Sequence, residues 1–123
     1  MSVQARYSAL LLFQYRVRVE GKDNKRRICE KRIISYVSPS PKDAYMIADN
    51  KGRSSENLYL NDDGNEVFFE FVGIMDLIEL GIECEEDEVW YEVKEYLTPM
   101  ERRKKLIPPK NKLIASVAQK KGD

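Results

Sequence analysis

Carboxylates are the chemistry-bearing side chains that cluster most clearly in this chain, which has no histidine. Without histidine there is no His-dependent triad, no His-based metal site and no general base with an ordinary pKa near neutrality. Carboxylate, lysine or tyrosine catalysis stays open, but no motif supports it. We therefore predict no catalytic residues and a partner-binding acidic face instead. This face consists of Glu83, Glu85, Glu86, Asp87, Glu88 and Asp76.

The same carboxylates suggest a hard cation such as Ca²⁺ or Mg²⁺ as an alternative ligand. Residues 61–66, NDDGNE, resemble the start of a calcium loop but lack its spacing and its final bidentate glutamate. The glycines are isolated, so that no phosphate-binding loop is present. We therefore predict no metal and no cofactor, and we interpret these stretches as a solvated turn and an acidic loop.

The net charge of zero conceals a segregation of charge along the chain. Residues 1–53 carry a net charge of +7, residues 54–97 carry −13 and residues 98–123 carry +6. Such blocks can face each other within the fold, or they can form separate acidic and basic surfaces that steer partners. Segregated charge together with edge strands is also compatible with a homodimer.

Basic residues crowd one predicted hairpin, near Tyr15 and Tyr36. They predict, as an alternative, a nucleic-acid surface made of cations and aromatic rings. The competing interpretation is a solvated sheet face, or pairing of these cations with the acidic block. The predicted nucleic-acid-binding residues are Arg16, Arg18, Lys25, Arg26, Arg27 and Arg32.

Hydrophobic alternation over residues 7–19 predicts a long strand, and residues 28–37 predict a second one. A short polar loop joins them, which favours an antiparallel hairpin. Ser40 and Pro41 then predict the start of a helix, with Asp43 near its positive end. Gly52 is expected to stop this helix after about residue 51.

The segment Glu66–Gly81 is the most apolar part of the chain. It predicts a strand over residues 67–72, which follows a strand at 57–60 and a turn at 61–65. We expect Gly73 to break this strand and a short helix to follow, with Asp76 in its first turn near the helix dipole.

The predicted helix covers residues 74–80, and a fifth strand is predicted over 89–97. The predicted fold class is therefore α+β, with a mainly antiparallel five-stranded sheet, the order β-β-α-β-β-α-β and one main helix packed on one face.

We divide the chain into a single α+β domain, residues 1–98, and a basic C-terminal extension, residues 99–123. The extension predicts a short helix, MERRKK, and then either a docking helix or a frayed tail. No apolar run reaches the roughly 20 residues of a membrane-spanning helix, and two cysteines do not form a disulfide scaffold. We therefore expect a soluble, cytoplasmic protein.

Three stretches of the chain resemble a known family. They are YSALLLF at residues 7–13, EKRIISYVSPSPKDAY at 30–45 and FEFVGIMDLIEL at 69–80. The last is similar to the Phe-Val-Gly-hydrophobic-x-Asp-Leu signature of bacterial domain-of-unknown-function family 4288. The resemblance covers roughly residues 6–97 and leaves out the C-terminal region. Because that family is uncharacterised, the resemblance implies a bacterial or phage origin but does not point to any particular activity.

The leading hypothesis for function is a non-catalytic protein-binding module, such as an inhibitor or immunity-type protein that acts through the acidic face. The first alternative is a nucleic-acid-binding accessory protein that uses the hairpin of residues 16–32. The second alternative is an enzyme or a small-ligand binder. Its site would lie beside Asp76, Glu79, Tyr7, Tyr59 and Tyr91.

Overall fold

The computed structural model describes the backbone of residues 4–81 and 90–121, with side chains for residues 4–80 and 97–117. The strands are β1 (Ala5–Val19), β2 (Lys22–Asp23), β3 (Arg26–Ser38), β4 (Asn57–Leu60), β5 (Glu66–Gly81) and β6 (Trp90–Leu97). The helices are α1 (Pro41–Ser54), α2 (Arg103–Leu106) and α3 (Lys110–Lys121). Within the described residues, none of these helices has the length and the apolar run that crossing a bilayer requires.

The predicted fold class is confirmed: the molecule is α+β, with one antiparallel sheet and a main helix packed against it. Five strands run in the order β4-β5-β1-β3-β6, and the two-residue β2 is attached to β1. The side of the sheet that α1 covers is called the helix side here. Its core consists of Ala5, Tyr7, Ala9, Leu11, Phe13, Tyr36, Ala44, Ala48, Phe69, Phe71, Ile74, Leu77, Leu113 and Val117.

The start of α1 matches the prediction. The hydroxyl of Ser40 accepts a hydrogen bond from the backbone N–H of Asp43 at 3.1 Å, and Pro41 occupies the first helical position. The predicted end is wrong, because Gly52 lies inside the helix, which continues to Ser54. A Cβ at Gly52 would lie 2.4 Å from the Phe71 ring, so glycine lets the helix approach β5 closely.

The predicted helix over residues 74–80 is also wrong, because β5 continues as a strand through this region. Ile74 pairs with Leu11 and Leu77 pairs with Ala9, while the intervening Met75 is an extra residue at a shift of register. This bulge places Ile74 and Leu77 on the same side of the sheet although they are three residues apart. The spacing therefore imitates a helix.

The chain after β6 passes from one side of the sheet to the other. Leu106 and Ile107 pack on a second apolar cluster, formed by Leu12, Cys29 and Val72, on the side opposite α1. Leu113 and Val117 of α3 belong instead to the core of the helix side. Of the two alternatives left open for the C-terminal tail, the docked helix is the one observed.

Candidate functional site

A polar network occupies the side of the sheet opposite α1, with Gln14 at its centre. The Gln14 side chain is fully buried, and its Nε2 donates to Glu70 Oε1 at 2.8 Å. Its Oε1 accepts from Arg27 Nη1 at 3.1 Å and from the Met100 backbone N–H at 3.2 Å. One glutamine on β1 therefore connects β3, β5 and the segment that follows β6.

Arg27 anchors the C-terminal segment to the sheet. Its side chain is 3 % exposed, and its guanidinium donates to both carboxylate oxygens of Glu101, at 2.7 and 2.9 Å. Its Nε donates to the backbone oxygen of Asn24 at 2.7 Å. Because a buried cation without a counter-charge is strongly destabilising, this pair fixes where the chain after β6 lies.

Arg16 and Arg18 lie beside the network and are also paired with carboxylates. Arg16 donates to both oxygens of Glu70, at 2.8 and 3.0 Å, and to Asp23 at 3.1 Å. Arg18 donates to the other oxygen of Asp23 at 3.1 Å. The two guanidinium carbons lie 4.0 and 5.1 Å from the centroid of the Phe68 ring.

The predicted nucleic-acid hairpin is therefore largely neutralised by its own neighbours. Arg32 pairs with Glu30 on the helix side, where it also lies 5.1 Å from the centroid of the Phe13 ring. Lys25 and Arg26 are exposed at the start of β3. Four of the six predicted residues thus form ion pairs with carboxylates, so the hairpin offers few cations to phosphates. The partner Glu70 belongs to the acidic block, whereas Asp23, Glu30 and Glu101 do not.

The network keeps its carboxylates ionised. Hydrogen bonds from Arg16 hold the pKa of Glu70 below its usual range, and those from Arg27 do the same for Glu101. A carboxyl group with a lowered pKa is a poor general acid at neutral pH. The arrangement is therefore suited to joining elements of the fold rather than to proton transfer.

Acidification is expected to destabilise the protein through these two groups. Each has a lower pKa in the folded chain than in the unfolded chain, so its stabilisation is complete above the unfolded pKa of about 4.3 and is lost as the pH falls through the folded pKa. Urea unfolding at pH 7, 5, 4 and 3 measures this loss. The Glu101 contribution is the smaller one, because its side chain is 55 % exposed.

The control for this experiment is the double variant Glu70→Gln/Glu101→Gln. It should be less stable than the wild type at pH 7 and should lose less further stability between pH 5 and pH 3. An equal loss in both proteins over that interval would show that other carboxylates carry the pH dependence.

The predicted acidic face stays a prediction, because five of its six residues lie at 83–88, outside the described residues. The sixth, Asp76, lies in β5 rather than in the first turn of a helix, so the predicted helix-dipole role is wrong. Its Oδ1 accepts the Leu77 backbone N–H at 2.9 Å. In the described part of the chain, no group of three or more potential ligand residues could hold a metal ion.

The residues proposed for a small-ligand site are only partly brought together. Tyr7 pairs with Glu79 across β1 and β5, and burial followed by the Glu79 charge raises the pKa of Tyr7. Tyr59 pairs with Val67 near the other end of β5. The Tyr91 side chain lies outside the described side chains. This set therefore does not form one described site.

An exposed apolar edge is the feature that the sequence reasoning missed. β4 is the terminal strand of the sheet, and in the described part of the chain it packs against β5 and no other element. Leu58, Tyr59 and Leu60 are 52 %, 43 % and 66 % exposed. The only signal in the sequence is a short strand that is apolar in both phases.

Carboxylates lie at the Leu60 end of this edge. Asp62 and Asp63 follow β4 in an exposed turn, and Glu66 pairs with Leu60. The Leu58 backbone N–H donates a hydrogen bond to the side chain of its neighbour Asn57 at 2.9 Å. A strand added by a partner would replace this hydrogen bond with one to its own main chain. We call this the β4 surface: Leu58, Tyr59, Leu60, Asp62, Asp63 and Glu66.

No protein-family model, curated protein or solved structure matches this chain. The resemblance to the bacterial domain-of-unknown-function family 4288 therefore stays a prediction.

Proposed function

We propose that this chain is a cytoplasmic, non-catalytic protein-binding module that recognises an extended, basic segment of another protein through the β4 surface. The observation that carries the proposal is the exposed apolar edge strand with carboxylates at its Leu60 end. An edge strand can add a strand from a partner, whose main chain supplies affinity and whose side chains supply specificity. The carboxylates favour lysine and arginine in that segment and speed its association.

An inhibitor or immunity-type protein is the form of this function that we favour, since such proteins complement basic clefts with acidic surfaces. The acidic residues at 83–88 and Asp76 belong to the same proposal as a further contact region. If two copies of this chain instead pair through their β4 edges, the β4 surface is a homodimer interface and not a site for another protein. Light scattering at low and high salt detects such a dimer.

A displayed library of random ten-residue peptides tests the β4 surface directly. We expect enriched peptides in which apolar and basic residues alternate, and we expect the Leu58→Lys/Leu60→Lys variant to bind them at least about tenfold more weakly. The reason is that this variant removes the exposed apolar side chains and introduces charges that repel a basic segment.

The matched control is Ile28→Lys/Val37→Lys, which changes two apolar residues that are 51 % and 49 % exposed and lie on β3, separated from β4 by β1 and β5. It should bind the selected peptides like the wild type. Failure to enrich any peptide, or equal binding by the β4 variant, would overturn the proposal. Thermal unfolding of all three proteins verifies that they are folded.

A further inference from the structure

A cavity of about 540 Å³ lies between α1 and the segment that joins α2 to α3. It is distinct from the β4 surface, and none of its lining residues is acidic. The cavity has one aromatic side, contributed by α1, an apolar wall and three cations. Its lining consists of Tyr45, Arg103, Lys104, Ile107, Pro108, Pro109 and Lys110.

The cations of this cavity are not neutralised in the way that those of the hairpin are. Among the residues that the structure describes, no carboxylate forms an ion pair with Arg103, Lys104 or Lys110. Glu101, the nearest acidic residue in sequence, pairs with Arg27 instead, and Asp49 of α1 pairs with Arg53 at 2.9 Å. Among the described residues, the lining of the cavity therefore has a net positive charge, and Asp49 is the acidic group whose charge acts on the lining residue Tyr45.

The positive surface continues beyond this cavity. A second cavity of about 480 Å³ shares Arg103 and Lys104 with the first one and adds Arg102 and Lys105. Its carboxylate, Glu101, is the one that Arg27 holds. Cations that line two adjacent cavities fit a chain of several phosphates better than a single small anion.

Tyr45 provides a surface for stacking. Its ring is half-buried and lines the cavity beside Ile107 and Pro108, which present an apolar wall. Lys110 Nζ lies 5.3 Å from the centroid of this ring, and the exposed lysine side chain can turn from the ring to a phosphate. Burial raises the pKa of Tyr45, so its hydroxyl stays neutral beside an anion.

We propose that this surface, formed by α1 and the C-terminal segment, binds single-stranded nucleic acid. One base stacks on Tyr45 against the apolar wall, and successive phosphates contact Lys110, Arg103 and Lys104. Stacking on an aromatic side chain requires an unpaired base, which favours a single strand over a duplex. An acidic peptide or an anionic membrane would use the cations but would leave the aromatic pocket without a role.

Fluorescence anisotropy with a labelled strand of about twelve thymidines tests this proposal. Binding should weaken as salt rises, with a slope of log K against log salt of about −2 for three phosphate contacts. Arg103→Glu/Lys104→Glu should weaken binding at low salt at least about tenfold. Tyr45→Leu should weaken it about tenfold as well, whereas Tyr45→Phe should bind like the wild type because the ring is retained.

The matched control is Lys22→Glu/Lys25→Glu, which reverses two exposed charges on the hairpin. This variant should retain most of the binding. Loss of binding in the control but not in Arg103→Glu/Lys104→Glu would place the strand on the hairpin and overturn the proposal. Equal affinity for polyglutamate, for vesicles that contain phosphatidylserine or for a duplex would overturn it too, as would no binding at low salt.

Discussion

Replacing Phe13 by alanine is expected to lower the free energy of unfolding by about 3–5 kcal/mol. Phe13 is fully buried in the central strand. Its ring stacks on Phe69 with centroids 4.9 Å apart and packs on Phe71 at 5.5 Å. Removing the ring loses this burial and leaves a cavity beside Phe69 and Phe71, which the surrounding core can fill only partly.

Urea unfolding of the wild type and of Phe13→Ala measures this loss, with Ile28→Ala as the control. Ile28 is an apolar strand residue that is 51 % exposed, so its truncation should change stability by no more than about 0.5 kcal/mol. A loss at Phe13 as small as that at Ile28 would contradict the central position of the aromatic cluster.

Replacing Gly73 by valine is expected to cost about 2–3 kcal/mol and to loosen the C-terminal segment. A Cβ at Gly73 would lie 2.9 Å from both Cγ1 and Cγ2 of Ile107. Valine therefore forces Ile107 away from the sheet, although valine is otherwise well suited to a strand. Urea unfolding measures the cost, and the rate of tryptic cleavage at Arg102 and Arg103 measures the loosening.

The double variant Gly73→Val/Ile107→Ala distinguishes this clash from a general loss of stability. Truncating Ile107 makes room for the new side chain, so the double variant should be destabilised by less than the sum of the two single changes. Additive losses, or cleavage of Gly73→Val at the wild-type rate, would show that Ile107 is not held against Gly73.

The parts of the fold that the sequence predicts correctly depend on residues that are close together in the chain. Alternation in β1 marks a strand, and Ser40 caps α1 through the N–H three residues later. The turn at residues 61–65 closes through hydrogen bonds between Asn61 and Asn65 and between Gly64 and Asn61. These local preferences were sufficient for the α+β class.

Both glycine predictions are wrong, because each glycine leaves room for a side chain that is distant in the sequence and does not mark the end of an element. Gly52 was expected to end a helix and Gly73 to break a strand, but Phe71 packs against the first and Ile107 against the second. A bulge in β5 likewise gave Ile74 and Leu77 a helical spacing within a strand. No local pattern distinguishes a bulge from a helical turn over so few residues.

In the candidate sites, too, the sequence predicts some features and tertiary packing decides others. Composition and order along the chain predict that acidic and basic blocks exist and that a basic segment follows β6. Which cations are neutralised is a tertiary result, because Arg27 meets Glu101 across 74 residues and Arg16 meets Glu70 across 54. Strand order alone leaves β4 at the edge of the sheet. The packing of α3 brings Lys110 to the cavity that Tyr45 lines, where no carboxylate of the described residues forms an ion pair with the lining cations. Side-chain types define the available charge and apolar surface, whereas long-range packing decides which of it remains exposed for a partner.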